Sequence, residues 1–213
     1  MTTTESMPVR SLGHLALYYR PGSEEAARVL LTDIGCELVD NGYAPGRDGF
    51  CSALLDGPRA THSDNLVYLA RMQDEQLRAE DALEKSLAQL GMAESWRDIS
   101  DVPEVRPHFG IRFHTMEALE DSLQAIEAHA APDGPLAGRV QVRKFRARPG
   151  LDAEADARMA ASPAFRGDEK PAFTDHLVQC FVRTDLFGNL TSGGTIELDY
   201  AFPRFFERVP SFG

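Results

Sequence analysis

Two histidines and one glutamate stand where alternating apolar residues would turn all three the same way. In Gly13–Arg20 (GHLALYYR), Leu15, Leu17 and Tyr19 alternate with His14, Ala16 and Tyr18. In His108–Thr115 (HFGIRFHT), Phe109, Ile111 and Phe113 alternate with His108, Gly110 and Arg112, and in TIELDY, Ile196, Leu198 and Tyr200 alternate with Glu197 and Asp199. Successive side chains of a strand point to opposite faces, so packing the apolar set beneath a helix leaves His14, His108 and Glu197 on the other side. A carboxylate on a concave sheet face needs a cation or hydrogen-bonded partners, because an unpaired buried charge is strongly unfavourable. Two neutral imidazoles and a carboxylate suit divalent Fe, Mn, Ni, Co or Zn, and ligand type does not choose among them.

Other side chains join this face. Arg112 shares it with His108, and Gln141 and Arg143 share one on a later strand, which makes the region locally basic in an acidic chain. Tyr18, Arg112 and Arg143 are therefore candidate contacts for an anionic or oxygen-rich ligand. A competing account has Arg112 and Arg143 pair with Glu197 and Asp199 as an ionic network in place of a metal. His176, in FTDHLVQCF, is a candidate general acid or base, weighed against a structural histidine because its strand parity cannot be read. His62, His114 and His129 fall at turns or element ends and are expected at the surface. Tyr18, Tyr200, Phe202, Phe205 and Phe206 offer aromatic surface, though aromatic residues in strands more often pack a core.

The elements that must hold these residues follow from periodicity. After the first strand, Pro21-Gly22-Ser23 turns the chain and Ser23 is expected to cap a helix over Glu24–Gly35, with Ala27, Leu30, Leu31 and Ile34 on one stripe. Extended segments are predicted at Glu37–Asp40, Phe50–Leu55 and Asn65–Arg71, giving the order β, α, β, β, β. The run Asp74–Leu90 predicts a connecting helix. At His108 the order restarts: Thr115 caps a helix bearing Leu119, Leu123 and Ile126, and strands are predicted at Gly138–Arg146, Phe173–Arg183 and Thr195–Phe202. The excursion Pro149–Pro171, rich in Ala and Asp, is expected to be a mobile loop. The predicted class is α+β: two βαβββ modules at residues 9–72 and 106–213, joined by a connecting helix and linker at 73–105, with an inserted loop at 147–172, forming a cupped mixed sheet with helices outside.

Bulk properties narrow the partners. Thirty-three acidic against 22 basic residues give a net charge of −11, which disfavours nucleic acid and anionic membrane surfaces. No apolar run is long enough for a membrane span and the first ten residues do not read as a signal peptide, so a cytoplasmic address is expected. Cys36, Cys51 and Cys180, odd in number and in apolar surroundings, read as buried free thiols. Glycine-rich phosphate loops and Cys-x-x-Cys pairs do not occur.

LGHLALYYRPGSEEAARVLLTDIGCELV, HFGIRFHTMEALEDSLQAIE and RTDLFGN with TIELDY resemble the vicinal oxygen chelate superfamily, which includes glyoxalase I, bleomycin-resistance proteins and extradiol dioxygenases. Asp185-Leu186-Phe187-Gly188-Asn189 matches that family's ending, but Leu190–Thr195 is inserted before the final strand. The resemblance implies metal ligands at His14, His108 and Glu197. A fourth family position falls at Ser63-Asp64-Asn65-Leu66-Val67, where Asn65 or water would replace a stronger ligand. The implied function is a metal-dependent lyase, isomerase or dioxygenase acting on a small oxygen-chelating substrate; the alternative is a metal-free protein that binds or sequesters an aromatic or anionic small molecule. A third reading makes the connecting helix a docking surface for a protein partner. Further association as a homodimer fits the resemblance.

Overall fold

The structure is a computed structural model and describes residues 13–40, 50–55, 65–97, 103, 107–165, 167, 169–188 and 194–208. Strands β1 (His14–Tyr19), β2 (Glu37–Asp40), β3 (Cys51–Leu54) and β4 (Leu66–Arg71) form one sheet in the order β1-β4-β3-β2. Strands β5 (Phe109–Phe113), β6 (Val140–Phe145), β7 (Leu177–Thr184) and β8 (Thr195–Ala201) form a second in the order β5-β8-β7-β6. In each sheet the first and last strands pair in parallel and the other pairs are antiparallel. Helix α1 (Glu24–Asp33) crosses between β1 and β2, and α4 (Met116–His129) between β5 and β6, so the two modules share one βαβββ order, the second with a further helix between its second and third strands. Helices α2 (Asp74–Gln89) and α3 (Ala93–Arg97) connect them.

Helix stripes and strand alternation meet as expected. Ala27, Leu30 and Leu31 of α1 and Leu119, Leu123 and Ile126 of α4 are fully buried against Leu17, Leu69, Val182, Ile196 and Leu198 in one core that runs through both modules. The modules are also stitched by main chain. Tyr19 bridges Phe187, the Arg20 amide donates to the Leu186 carbonyl at 2.9 Å, and the Gly188 amide donates to Tyr18 at 3.1 Å. A Cβ on Gly188, in the Asp185–Asn189 motif, would lie 2.7 Å from both Glu80 Oε1 and Met72 Cε, so those two side-chain ends would have to shift to admit a larger residue. His129 Nδ1, at the end of α4, lies 2.8 Å from Asp33 Oδ2 at the end of α1 and adds a polar tie between the modules.

Three expectations are corrected. Ser23 makes no capping hydrogen bond to α1; it is buried, and its hydroxyl accepts from Arg139 Nη2 at 2.9 Å. Thr115 does cap α4, accepting from the Ala118 amide at 3.2 Å. The excursion is not a loose loop but carries α5 (Ala153–Ala161), capped by Asp152, whose carboxylate accepts from Glu154 and Ala155. Ala155 and Met159, four residues apart, bury one face of α5, and Phe165 follows them into the core; the Asp and Ala around this short stripe hid it. Phe173–His176 do not extend β7, because His176 adopts φ 62° and breaks the extended run. His129 lies at the surface as expected, its side chain 45% exposed, and is held there by Asp33. His62, Ser63-Asp64, Leu190–Gly193 of the insertion and the Phe206 side chain lie outside the described residues.

All three cysteines are buried free thiols. Desolvation pushes the Cys36 thiol up to about 12 and raises Cys51 and Cys180 as well. Thiolate is the reactive form, so at pH 8 these groups stay protonated and shielded. Native protein should show negligible colour with a disulfide reagent at that pH and three thiols after denaturation; rapid labelling of even one thiol before denaturation would contradict this packing.

Candidate functional site

Strand register assembles the site on the face of the second sheet away from α4. Glu197 of β8 lies opposite Gly110 on β5 and Phe181 on β7, and Phe181 lies opposite Arg143 on β6. One row along, Asp199 lies beside Arg112 and Gln179; in the other direction, Thr195 lies beside Arg183, which faces Gln141. His108 immediately precedes β5 at the level of Thr195. A Cβ placed on Gly110 would meet Glu197 Oε2 at 3.6 Å, an ordinary van der Waals contact.

His108 Nε2 approaches Glu197 Oε2 at 3.1 Å, and Gln179 Nε2 donates to Glu197 Oε1 at 2.7 Å. The Gln179 carbonyl in turn accepts from the Phe173 amide at 3.3 Å, so the amide is fixed as a donor toward the carboxylate. Beside this group, Arg112 grips Asp199 through Nε at 2.9 Å and Nη2 at 2.8 Å, and its guanidinium lies over the Phe205 ring at 5.3 Å. Phe205 belongs to α6 (Pro203–Arg208). The polar strip borders an apolar cluster of Phe145, Leu177, Phe181 and Ala201, and the Phe181 ring meets His108 edge-on at 5.7 Å. The face thus carries a partly exposed imidazole and carboxylate over a buried apolar cluster in which Phe181 is wholly enclosed.

The first sheet contributes less. His14 is exposed on β1 and stacks at 4.6 Å on Tyr68, which also meets Phe50. Tyr18 is half-buried and its carbonyl ties to Gly188. Among the described residues, no three His, Cys, Asp or Glu side chains converge on one point, so the structure brings His108 to Glu197 but does not bring His14 to them. His176 is only 2% exposed, its Nε2 has no hydrogen-bond partner, and its carbonyl accepts from the Phe202 amide.

Two neighbours of the site were missed from sequence. Gln179 sits at an alternate position in an otherwise apolar run, a pattern that marks a polar group turned to the opposite face from its flanking Val178 and Cys180. Phe173 is 73% exposed, yet its amide touches the residue that holds Glu197. Nothing in the sequence signals that position.

Ligands ~2.1 Å from an ion at adjacent positions lie about 3.0–3.4 Å apart, so the 3.1 Å imidazole–carboxylate approach fits two cis ligands as well as a hydrogen bond. Among the described residues no third His, Cys, Asp or Glu side chain joins the pair.

Two modules of this βαβββ topology, joined through one core, are the architecture implied by the resemblance to the vicinal oxygen chelate superfamily, and the fold is consistent with that of the glyoxalases. No known family's profile matches the sequence, and no curated protein matches it. Among solved structures, the chain is similar to the crystal structure of a protein from Bacillus anthracis provisionally assigned to the glyoxalase family, at 13% identity over 92% of this chain and 99% of that one, with a TM-score of 0.43.

Proposed function

We propose that this chain is a glyoxalase-like small-molecule protein whose ligand lies at the partly exposed His108–Glu197 pair on the second sheet, with a divalent metal held by those two residues. The observation that carries the reading is the 3.1 Å approach of an imidazole and a carboxylate from neighbouring parallel strands over a buried apolar cluster. A divalent ion there would polarise a ligand oxygen and stabilise negative charge developing on it. The protein's own groups do the positioning: Gln179 fixes the free rotation of Glu197, Phe181 fixes the imidazole edge, and Phe145, Phe181 and Leu177 form the buried cluster beneath. The resemblance implies His14 as a third ligand. Since His14 stands exposed on the first sheet and does not meet the pair within one chain, a homodimer in which a second copy presents its His14 completes the set.

Elemental analysis of protein purified without chelator or metal-affinity resin tests this. Wild type is expected to carry close to one metal ion per site, with His108→Ala and Glu197→Gln each losing nearly all of it and His14→Ala losing part or all. Light scattering should report a dimer. A wild type that stays metal-free after reconstitution with each of the five candidate ions would end the metal reading.

A second reading has its own support. Both oxygens of Glu197 already have protein partners, and Arg112 and Asp199 satisfy one another. On that reading the same face binds its ligand without metal, and Glu197→Gln leaves ligand affinity within about twofold, since an amide can replace the carboxylate as acceptor.

A further inference from the structure

At the end of the row that contains His108, the chain gathers three arginines around a pocket of about 450 Å³: Arg20 just after β1, Arg139 just before β6, and Arg183 on β7. They come from separate parts of the sequence, in a chain with an excess of acidic residues. Two carboxylates, Glu84 and Asp185, share the lining. The arginines are the inner partners. Arg20 is 19% exposed against 37% for Glu84, and Arg139 is 33% exposed against 64% for Asp185. Arg20 also reaches the buried Glu80, and Arg139 is anchored to Ser23 by a second hydrogen bond, so both guanidiniums stay in place if the outer carboxylates swing away. Solvent-facing ion pairs of this kind are screened and weak, and an entering anion can take over their guanidinium hydrogens at little cost.

Arg183 links this pocket to the site already described. It faces Gln141 across one strand boundary and Thr195 across the next, donating to the Thr195 hydroxyl at 3.4 Å. His108 lies one strand beyond Thr195, so two strand spacings separate Arg183 from His108, ~10 Å. The lining is predominantly polar and Gln141 adds an amide donor on the same face.

We infer that the Arg20–Arg139–Arg183 pocket is an anion subsite, and that the ligand carries a carboxylate or phosphate group bound there, ~10 Å from the oxygen-bearing end that reaches His108 and Glu197. This identifies the ligand class as an elongated anion rather than a neutral aromatic molecule, and it rests on the reading that the His108–Glu197 pair is part of the ligand site.

Calorimetric titration of the full chain with inorganic phosphate at fixed ionic strength tests it. Wild type should bind weakly, with Arg183→Gln and Arg139→Gln each weakening binding by roughly tenfold. Arg183→Lys keeps the charge without the planar fork and should fall between, which preserves the test if a neutral variant misfolds. Arg28→Gln, which neutralises an arginine outside this pocket that pairs with Asp40, should leave phosphate affinity unchanged, while the metal content of Glu197→Gln reports separately on the reading above. Absence of phosphate binding by wild type, unaltered binding in both pocket-arginine variants, or equal loss in Arg28→Gln would each overturn the assignment.

Discussion

Replacement of Leu198 by Ala is expected to lower the unfolding free energy by about 3 kcal/mol, within the ~2–5 kcal/mol that truncating a buried leucine costs. Leu198 is wholly buried in β8, a central strand, with Cys180 beside it on β7, Ile111 beside it on β5, and α4 packed across the sheet. Neighbours held by strands on both sides cannot collapse into the space, so the lost transfer energy and the cavity add together. Urea denaturation gives the value. Leu87→Ala, half-buried on α2, should cost less than ~1 kcal/mol in the same experiment. A Leu198→Ala effect no larger than that of Leu87→Ala would mean that the helix-facing side of β8 has been assigned to the wrong parity.

The second large effect is expected from Arg158→Ala, at about 3 kcal/mol. Glu120 on α4 is 8% exposed, and the Arg158 guanidinium on α5 takes both of its oxygens, through Nη1 at 3.1 Å and Nη2 at 2.5 Å; the Ser162 hydroxyl also contacts it. Removing the cation leaves a carboxylate shielded from water with one neutral partner, an unfavourable state for a charge. The double variant Arg158→Met with Glu120→Leu should recover most of the loss, because a well-packed apolar pair can substitute for a buried ionic one. Failure of the double variant to exceed Arg158→Ala in urea midpoint would place the cost in packing of the arginine stem instead.

Strand parity was legible because the period of two is strict wherever one face is buried. It placed His108 with Glu197 and Arg112 with Asp199 on one face before any coordinates, and the register agrees. The repeat was readable from element order even though the modules share little sequence. Partner choice was not readable. Glu197 meets Gln179 and His108 rather than Arg112, since Arg112 is aligned one row further on with Asp199. The pairing depends on inter-strand register, which local pattern does not encode. The excursion was misjudged because α5 shows only two buried residues in nine, too short a stripe to stand out from its polar neighbours. Ser23 carried the composition of a cap, but a guanidinium from the other module claims its hydroxyl, a contact between residues 116 positions apart.

The parallel pairing at the edge of each sheet also bears on the order of assembly. β1 can find β4 once little more than the first module has left the ribosome, and the first sheet can close while the second is still unmade. β5 has no such early partner: Arg112 waits for Asp199, 87 positions later, before its side of the sheet is complete. Loop closure for β5–β8 costs about 0.5 kcal/mol more than for β1–β4, so the second sheet is expected to gain hydrogen-exchange protection no earlier than the first. Tyr19 of β1, which bridges Phe187, is where the first sheet then receives the second.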